Sequence, residues 1–171
     1  MAQTPFITIG VDGEDQYNRA FSRLDAVFDD LRPIWPDVRD AFWQIEREQF
    51  ESEGSKGASG KWAALSERYK RQKIRQYGAG KKILEASGDL KASLTSDAPG
   101  SYYSANEEEM AVGSTIPYGI YHQRGGKNLK QRKPISLSDA QKKMLDKTIQ
   151  KSLISELRKG TYYVPASDRE F

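Results

Sequence analysis

The sequence predicts an α+β fold: long helices first, a small central antiparallel sheet, then a closing amphipathic helix with extended arms at both ends. Apolar residues recur at three- and four-residue spacing over 14–50 and again over 145–157, as they do on helices with one buried face. Two β-prone runs flank a polar turn at Asn106-Glu107-Glu108, the pattern of a hairpin. Three or four short strands with helices packed on them would bury the apolar stripes. The 171 residues suit a single domain. The boundaries read as an arm over 1–13, a domain over 14–160 and a tail over 161–171.

Each element has its own signal. Phe6-Ile7-Thr8-Ile9 is an extended lead closed by Gly10 and Asp12-Gly13. Tyr17, Phe21, Leu24, Val27, Phe28 and Leu31 then mark one helical face. Pro33 and Pro36 interrupt it, and Pro36 suits the first turn of a second helix, where a missing N–H costs nothing. Val38, Ala41, Phe42 and Ile45 form that helix's stripe. Residues 52–60 hold three glycines and three serines, the composition of a flexible loop. A helix is expected to resume at about Trp62, with Leu65, Tyr69 and Ile74 on one side. Its exposed side is expected to carry Arg68, Lys70, Arg71, Lys73 and Arg75. Gly78 and Gly80 end it, and a short helix is expected around Ile83-Leu84 and Leu90–Leu94, bent near Gly88. Strands are expected at 101–105, 109–113 and 135–137. Between the last two, 116–123 is compact and aromatic, and 124–133 is a basic loop. Ser138 with Gln141 forms a capping box, and Leu145, Ile149, Leu153, Ile154 and Leu157 face the core from the last helix.

The residue inventory excludes several chemistries. There is no cysteine and one histidine, His122. Disulfides, thiolate nucleophiles, Cys-ligated zinc and multi-His metal sites are therefore absent. No apolar run nears the roughly 18 residues a membrane span needs. The first residues lack a basic, then apolar, leader, so no secretory signal is expected. Net charge is +3 but unevenly placed. Residues 1–53 carry 12 acidic and 5 basic side chains, a net of −7; the remainder carries 12 acidic and 22 basic, a net of +10. Such asymmetry speaks to association: the acidic part of one copy can face the basic part of another, or the basic part can meet an acidic partner; the alternative is two solvated helical faces of opposite sign.

Candidate sites follow from these patterns. The basic helix 68–75, with Tyr69 and Tyr77, could track phosphates and stack on bases, or could equally be a solvated face or meet an acidic protein. Gly78-Ala79-Gly80-Lys81-Lys82 lacks the full phosphate-loop spacing and follows a helix rather than a strand. Glu107-Glu108-Glu109 matches no calcium loop and reads as a charged hairpin tip. A lone histidine such as His122 is more often a packing residue than a catalyst. No carboxylate pair is singled out for acid–base work. No catalytic residue, cofactor or metal site is expected.

An ordered series of residues carries a resemblance. It runs Trp62-x-x-Leu65-x-x-x-Tyr69-x-x-x-Lys73, then Lys82-Ile-Leu84-x-x-Ser87-Gly88-x-Leu90-x-x-Ser93-Leu94, then Val112-Gly113, then Tyr118-Gly-Ile-Tyr-His122-Gln123-x-Gly125. Phe50 and Gly57 or Gly60 precede it. Over 50–137 the chain resembles the phage virion morphogenesis family, the Mu-like G proteins and related tail completion proteins of tailed phages. Arg132-Lys133-Pro134-Ile135-Ser136 stands where that family often has Pro-Ala-Arg.

The resemblance implies a structural, non-enzymatic subunit of the head–tail junction. It would form a ring, hexameric or higher, that joins the tail tube to the head. Implied partners are further copies of the chain and other neck and tail proteins, with DNA passing through the channel; no membrane and no small-molecule substrate is implied. Packing roles fall to Trp62, Tyr69, Leu84, Gly88, Leu90, Tyr118, His122, Gln123 and Gly125. Interface roles fall to Arg68, Arg71, Arg75, Arg124, Lys127, Lys130, Tyr162 and Tyr163. The alternatives are a DNA-binding module using helix 68–75, or a minor capsid or tail assembly protein elsewhere in the virion.

Overall fold

Helix α2 (Trp35–Glu51) is the spine of the molecule. Pro36 and Asp37 sit in its first turn, where proline is tolerated and a carboxylate complements the helix dipole. Its buried face carries Trp35, Val38, Ala41, Phe42, Ile45, Glu46, Gln49 and Phe50. The computed structural model describes residue 22 and residues 24–159. The expected arm over 1–13 and the tail with Tyr162 and Tyr163 lie outside the described residues.

Residues 24–29 form the described part of helix α1. A turn over 31–34 follows, where the prolines stop the helix. Next come α3 (Glu67–Tyr77), α4 (Asp89–Thr95), β1 (Ser101–Ala105), β2 (Met110–Ser114), α5 (Gly119–Arg124) and α6 (Asp139–Lys159). The two strands pair antiparallel, with Ser101 opposite Ser114 and Ala105 opposite Met110. Asn106 makes the tip: its Oδ1 accepts from the N–H groups of Glu108 and Glu109 at 2.9 and 2.8 Å, an Asx turn. At α6, Gln141 Oε1 accepts from Ser138 N at 2.8 Å, which is the reciprocal half of the capping box.

Two apolar clusters share α2. At its N-terminal end Ile34, Trp35 and Val38 meet Leu31, Met110 and the α6 stripe Leu145, Ile149 and Leu153. Ser152 Oγ donates to Asp37 Oδ2 at 2.5 Å across that seam. At its C-terminal end Phe50 joins Trp62, Leu90 and Leu94, flanked by Ile83, Leu84, Ile116 and Ile135. Phe50 and Trp62 meet edge to face, centroids 5.3 Å apart, a favoured aromatic arrangement. The glycine–serine segment 52–60 folds into successive turns, with Gly54 N on Gln49 O and Ala58 N on Ser136 O, both 2.9 Å.

Four expectations are corrected. Helix α3 begins at Glu67 rather than at Trp62. Trp62 is held in non-helical backbone by N on Glu53 O at 2.8 Å and Nε1 on Lys133 O at 2.9 Å, and Ser66 Oγ caps α3 by accepting from Tyr69 N. Lys73, expected on the solvent side of α3, is buried and is the buried residue of that helix. Ile83-Leu84 is a turn, with Leu84 at φ +62°, because Ile83 N is taken by Glu53 Oε1 at 3.0 Å. Residues 135–137 add no strand, so the described sheet has two strands. The compact segment 116–123 holds all but the last residue of α5, which takes in Arg124 at the start of the expected basic loop.

Candidate functional site

Of the motif residues, Leu65, Tyr69, Lys73, Leu84, Ser87, Tyr118 and His122 gather around one groove between α3, α5 and the 127–132 segment. It encloses about 740 Å³. Tyr69, Lys73 and Tyr77 lie one turn apart along α3, and this helical face lines one wall. Leu84 and Ser87 line the groove from the 82–88 turn. Tyr118 and His122 lie one turn apart at α5, ring centroids 6.3 Å apart and edge to face, and Tyr118 OH is 3.4 Å from Ser87 Oγ. The tyrosines are not sunk in the core: Tyr69 is 45%, Tyr118 40% and Tyr77 37% exposed. No Asp or Glu lines the groove, whereas Lys73, Lys130, Arg132 and His122 do.

Two of the cations are structural clips. Lys73 Nζ donates to Lys81 O at 3.0 Å and to Lys82 O. Burial holds its ammonium below the usual lysine range, opposed by Glu85 and Glu53 nearby. Arg132 donates through Nε to Ala63 O at 2.7 Å and through a terminal nitrogen to Ala64 O at 3.2 Å, so it staples the 127–132 segment to the residues before α3. Its own N–H bonds His122 O at 3.0 Å. Burial, then the Arg132 charge, push His122 below the ordinary histidine range. Its Nδ1 is buried without a hydrogen-bond partner among the described residues.

The other candidates divide by role. Trp62 and Leu90 are core residues. Gly88 stands at the start of α4 with φ +98°, and Gly125 ends α5 with φ +74°, conformations that glycine adopts without strain. Gln123 binds both backbone groups of Ile135. Arg68, Arg71, Arg75, Arg124, Lys127 and Lys130 are exposed, and of these Lys130 lines the groove. Arg132 entered the sequence reading only within the 132–136 segment; its burial and its bonds to Ala63 and Ala64 were not legible there. For Lys73 the signal was present: it lies one turn beyond Tyr69, off the Arg68–Arg71–Arg75 face.

Glu46 of α2 is a separate feature. It is fully buried, both carboxylate oxygens lack partners among the described residues, and so do Trp43 Nε1 and the Gln49 amide. Burial raises its pKa to about 8, so the carboxyl is neutral over most of the physiological range.

Among the described residues no group of three His, Asp or Glu is placed to hold a metal ion, and no helix is long and apolar enough to cross a membrane. Among the described residues, the Ser87 hydroxyl in the groove pairs with the Tyr118 hydroxyl, and the Ser66 hydroxyl accepts from Tyr69 N. A tyrosine-lined surface channel that carries cations and no carboxylate has the chemistry of a binding surface. The chain belongs to the phage virion morphogenesis family, whose model matches residues 12–154. It is thus a structural protein of the bacteriophage virion. The match extends the resemblance seen over 50–137 to α1, α2 and most of α6. No curated protein and no solved structure matches the chain.

Proposed function

We propose that this protein is a subunit of the head–tail junction, a neck, tail completion or tail terminator component that forms a ring joining the tail tube to the head. The observation that carries this reading is the open groove on which the family-motif residues Tyr69, Leu84, Tyr118 and His122 converge. Three half-exposed tyrosines, Tyr69, Tyr77 and Tyr118, along one surface groove suit docking better than packing. The net −7 of the first 53 residues against the net +10 of the rest adds two complementary faces, which a head-to-tail ring requires. Further copies of the chain and other neck and tail proteins are the partners, and DNA passes through the channel.

The test is a phage lacking this gene, examined by electron microscopy. Filled heads and tails that fail to join, restored by supplying the protein, are expected. Normal joined particles would sink the reading. A DNA-contacting role has one observation in its favour, the exposure of Arg68, Arg71 and Arg75 along α3. Binding of duplex DNA that weakens steeply with salt would support it.

A further inference from the structure

We propose that the groove between α3 and α5 receives helix α1 of a second copy, with Phe28 seated among Tyr69, Tyr77 and Tyr118. The inference deepens the ring reading and rests on it, since it names the contact by which copies join.

Among the described residues of one molecule, both halves of the contact stand exposed. Phe28 is 60% exposed although it lies on the apolar face of α1 with Leu24 and Val27. The three tyrosines across the groove are 37–45% exposed. A helix seating an aromatic anchor in such a groove is a recurrent recognition mode. Charge selects the same partner. The groove carries Lys73, Lys130 and Arg132 and no carboxylate, with Arg68 and Arg71 exposed on α3. Helix α1 carries Asp25 and Asp29, both exposed and without an ion-pair partner among the described residues. Asp12, Glu14 and Asp15 precede it in sequence.

The occupant comes from another copy rather than the same one. The end of α1 is tied to the hairpin tip: Leu31 N donates to Glu107 O at 2.9 Å, and Arg32 pairs with Glu107 at 3.3 Å. Phe28 so held is not among the residues lining its own groove. A knob and a groove at different places on one molecule make a heterologous contact, which closes into a ring when the rotation per subunit divides a full turn.

The absence of cysteine makes the test direct, because each introduced thiol is unique. Full-length Phe28→Cys and Tyr77→Cys chains are mixed under mild oxidation. A cross-linked dimer is expected at least tenfold above the yield of Phe28→Cys with Ile154→Cys, a control on the exposed part of α6. Equal yields overturn the proposal. So does the double variant Phe28→Cys/Tyr77→Cys closing on itself as a monomer instead of forming a ladder. In parallel, Asp25→Lys/Asp29→Lys is expected to raise the midpoint concentration of self-association at least tenfold, with recovery on adding Lys130→Glu; an unchanged midpoint overturns the charge pairing. All these positions are exposed, so the fold is spared. A cross-link in a protein whose loss leaves phage particles joined would remove the junction reading and keep the contact. Detached tails without the cross-link would do the reverse.

Discussion

Gln123 and Ile135 are joined twice. The Gln123 amide donates through Nε2 to Ile135 O at 2.8 Å and accepts through Oε1 from Ile135 N at 3.3 Å. The side chain thus presents to Ile135 what a neighbouring strand would present, and it fixes α5 to the segment that completes the core around Phe50 and Trp62.

Gln123→Ala removes both bonds and leaves two partly buried backbone groups unpaired. Each such loss costs about 1–3 kcal/mol. The expected result is a chain destabilised by roughly 2–4 kcal/mol in urea unfolding, with Gln123→Glu recovering little because its carboxylate cannot donate to Ile135 O. A midpoint equal to wild type would mean that water replaces the amide.

Glu46 sets a pH dependence of definite sign. In the unfolded chain it ionises near the ordinary glutamate value, and in the folded protein near pH 8. Between these values the folded state holds the extra proton, so stability falls as pH rises through this window and levels off above it. The full effect is at most roughly 4–5 kcal/mol. Glu46→Gln is therefore expected to stabilise strongly at pH 8.5 and little at pH 4.5, read from urea midpoints at the two values. A gain independent of pH would contradict the assignment.

Two glycines in the 52–60 turns separate space from backbone. A Cβ at Gly54 would lie 2.5 Å from Trp62 Cδ1 at φ +87°, whereas at Gly60, φ +72°, nothing lies within 4 Å. Gly60→Ala should cost about 1 kcal/mol, the strain of a left-handed backbone. Gly54→Ala should cost several times more, because the core indole must move. Equal melting temperatures for the two variants would refute the close approach.

Arg68, Arg71 and Arg75 are exposed along α3 and have no ion-pair partner among the described residues. Replacing all three with glutamine should change stability by less than about 1 kcal/mol while reducing virion assembly in complementation assays. Full infectivity of the triple variant would remove the basic face of α3 from the function.

Much of the framework was legible in the sequence. The stripe of α2, the hairpin turning at Asn106, and the start of α6 after Ser138 all follow from periodicity, turn chemistry and a capping box, which are local effects. The departures come from long-range bonds. Residues 135–137 alternate like a strand, yet Gln123 takes both backbone groups of Ile135 and Ala58 N takes the Ser136 carbonyl. Trp62 looks like the first residue of an amphipathic helix, yet its indole is bound 71 residues away at Lys133. The groove was legible as an ordered series of motif residues, but not as a place. The burial of Lys73 shows why: its charge is satisfied by carbonyls eight and nine residues on, which spacing alone does not reveal.

The packing of α2 on α6 joins residues more than a hundred positions apart, as the Ser152–Asp37 hydrogen bond illustrates. The cluster around Phe50, Trp62 and Leu94 closes within residues 50–135 and can be complete while the ribosome is still making the rest. Ile34, Trp35 and Val38 must wait for the last helix to emerge, because long-range contacts form after the intervening chain is available. Until then the nascent chain presents the face of Ile34, Trp35 and Val38 without its α6 cover, and a translation stop between Ile135 and Leu145 leaves a fragment that carries one finished cluster and one open one and invites capture by chaperones.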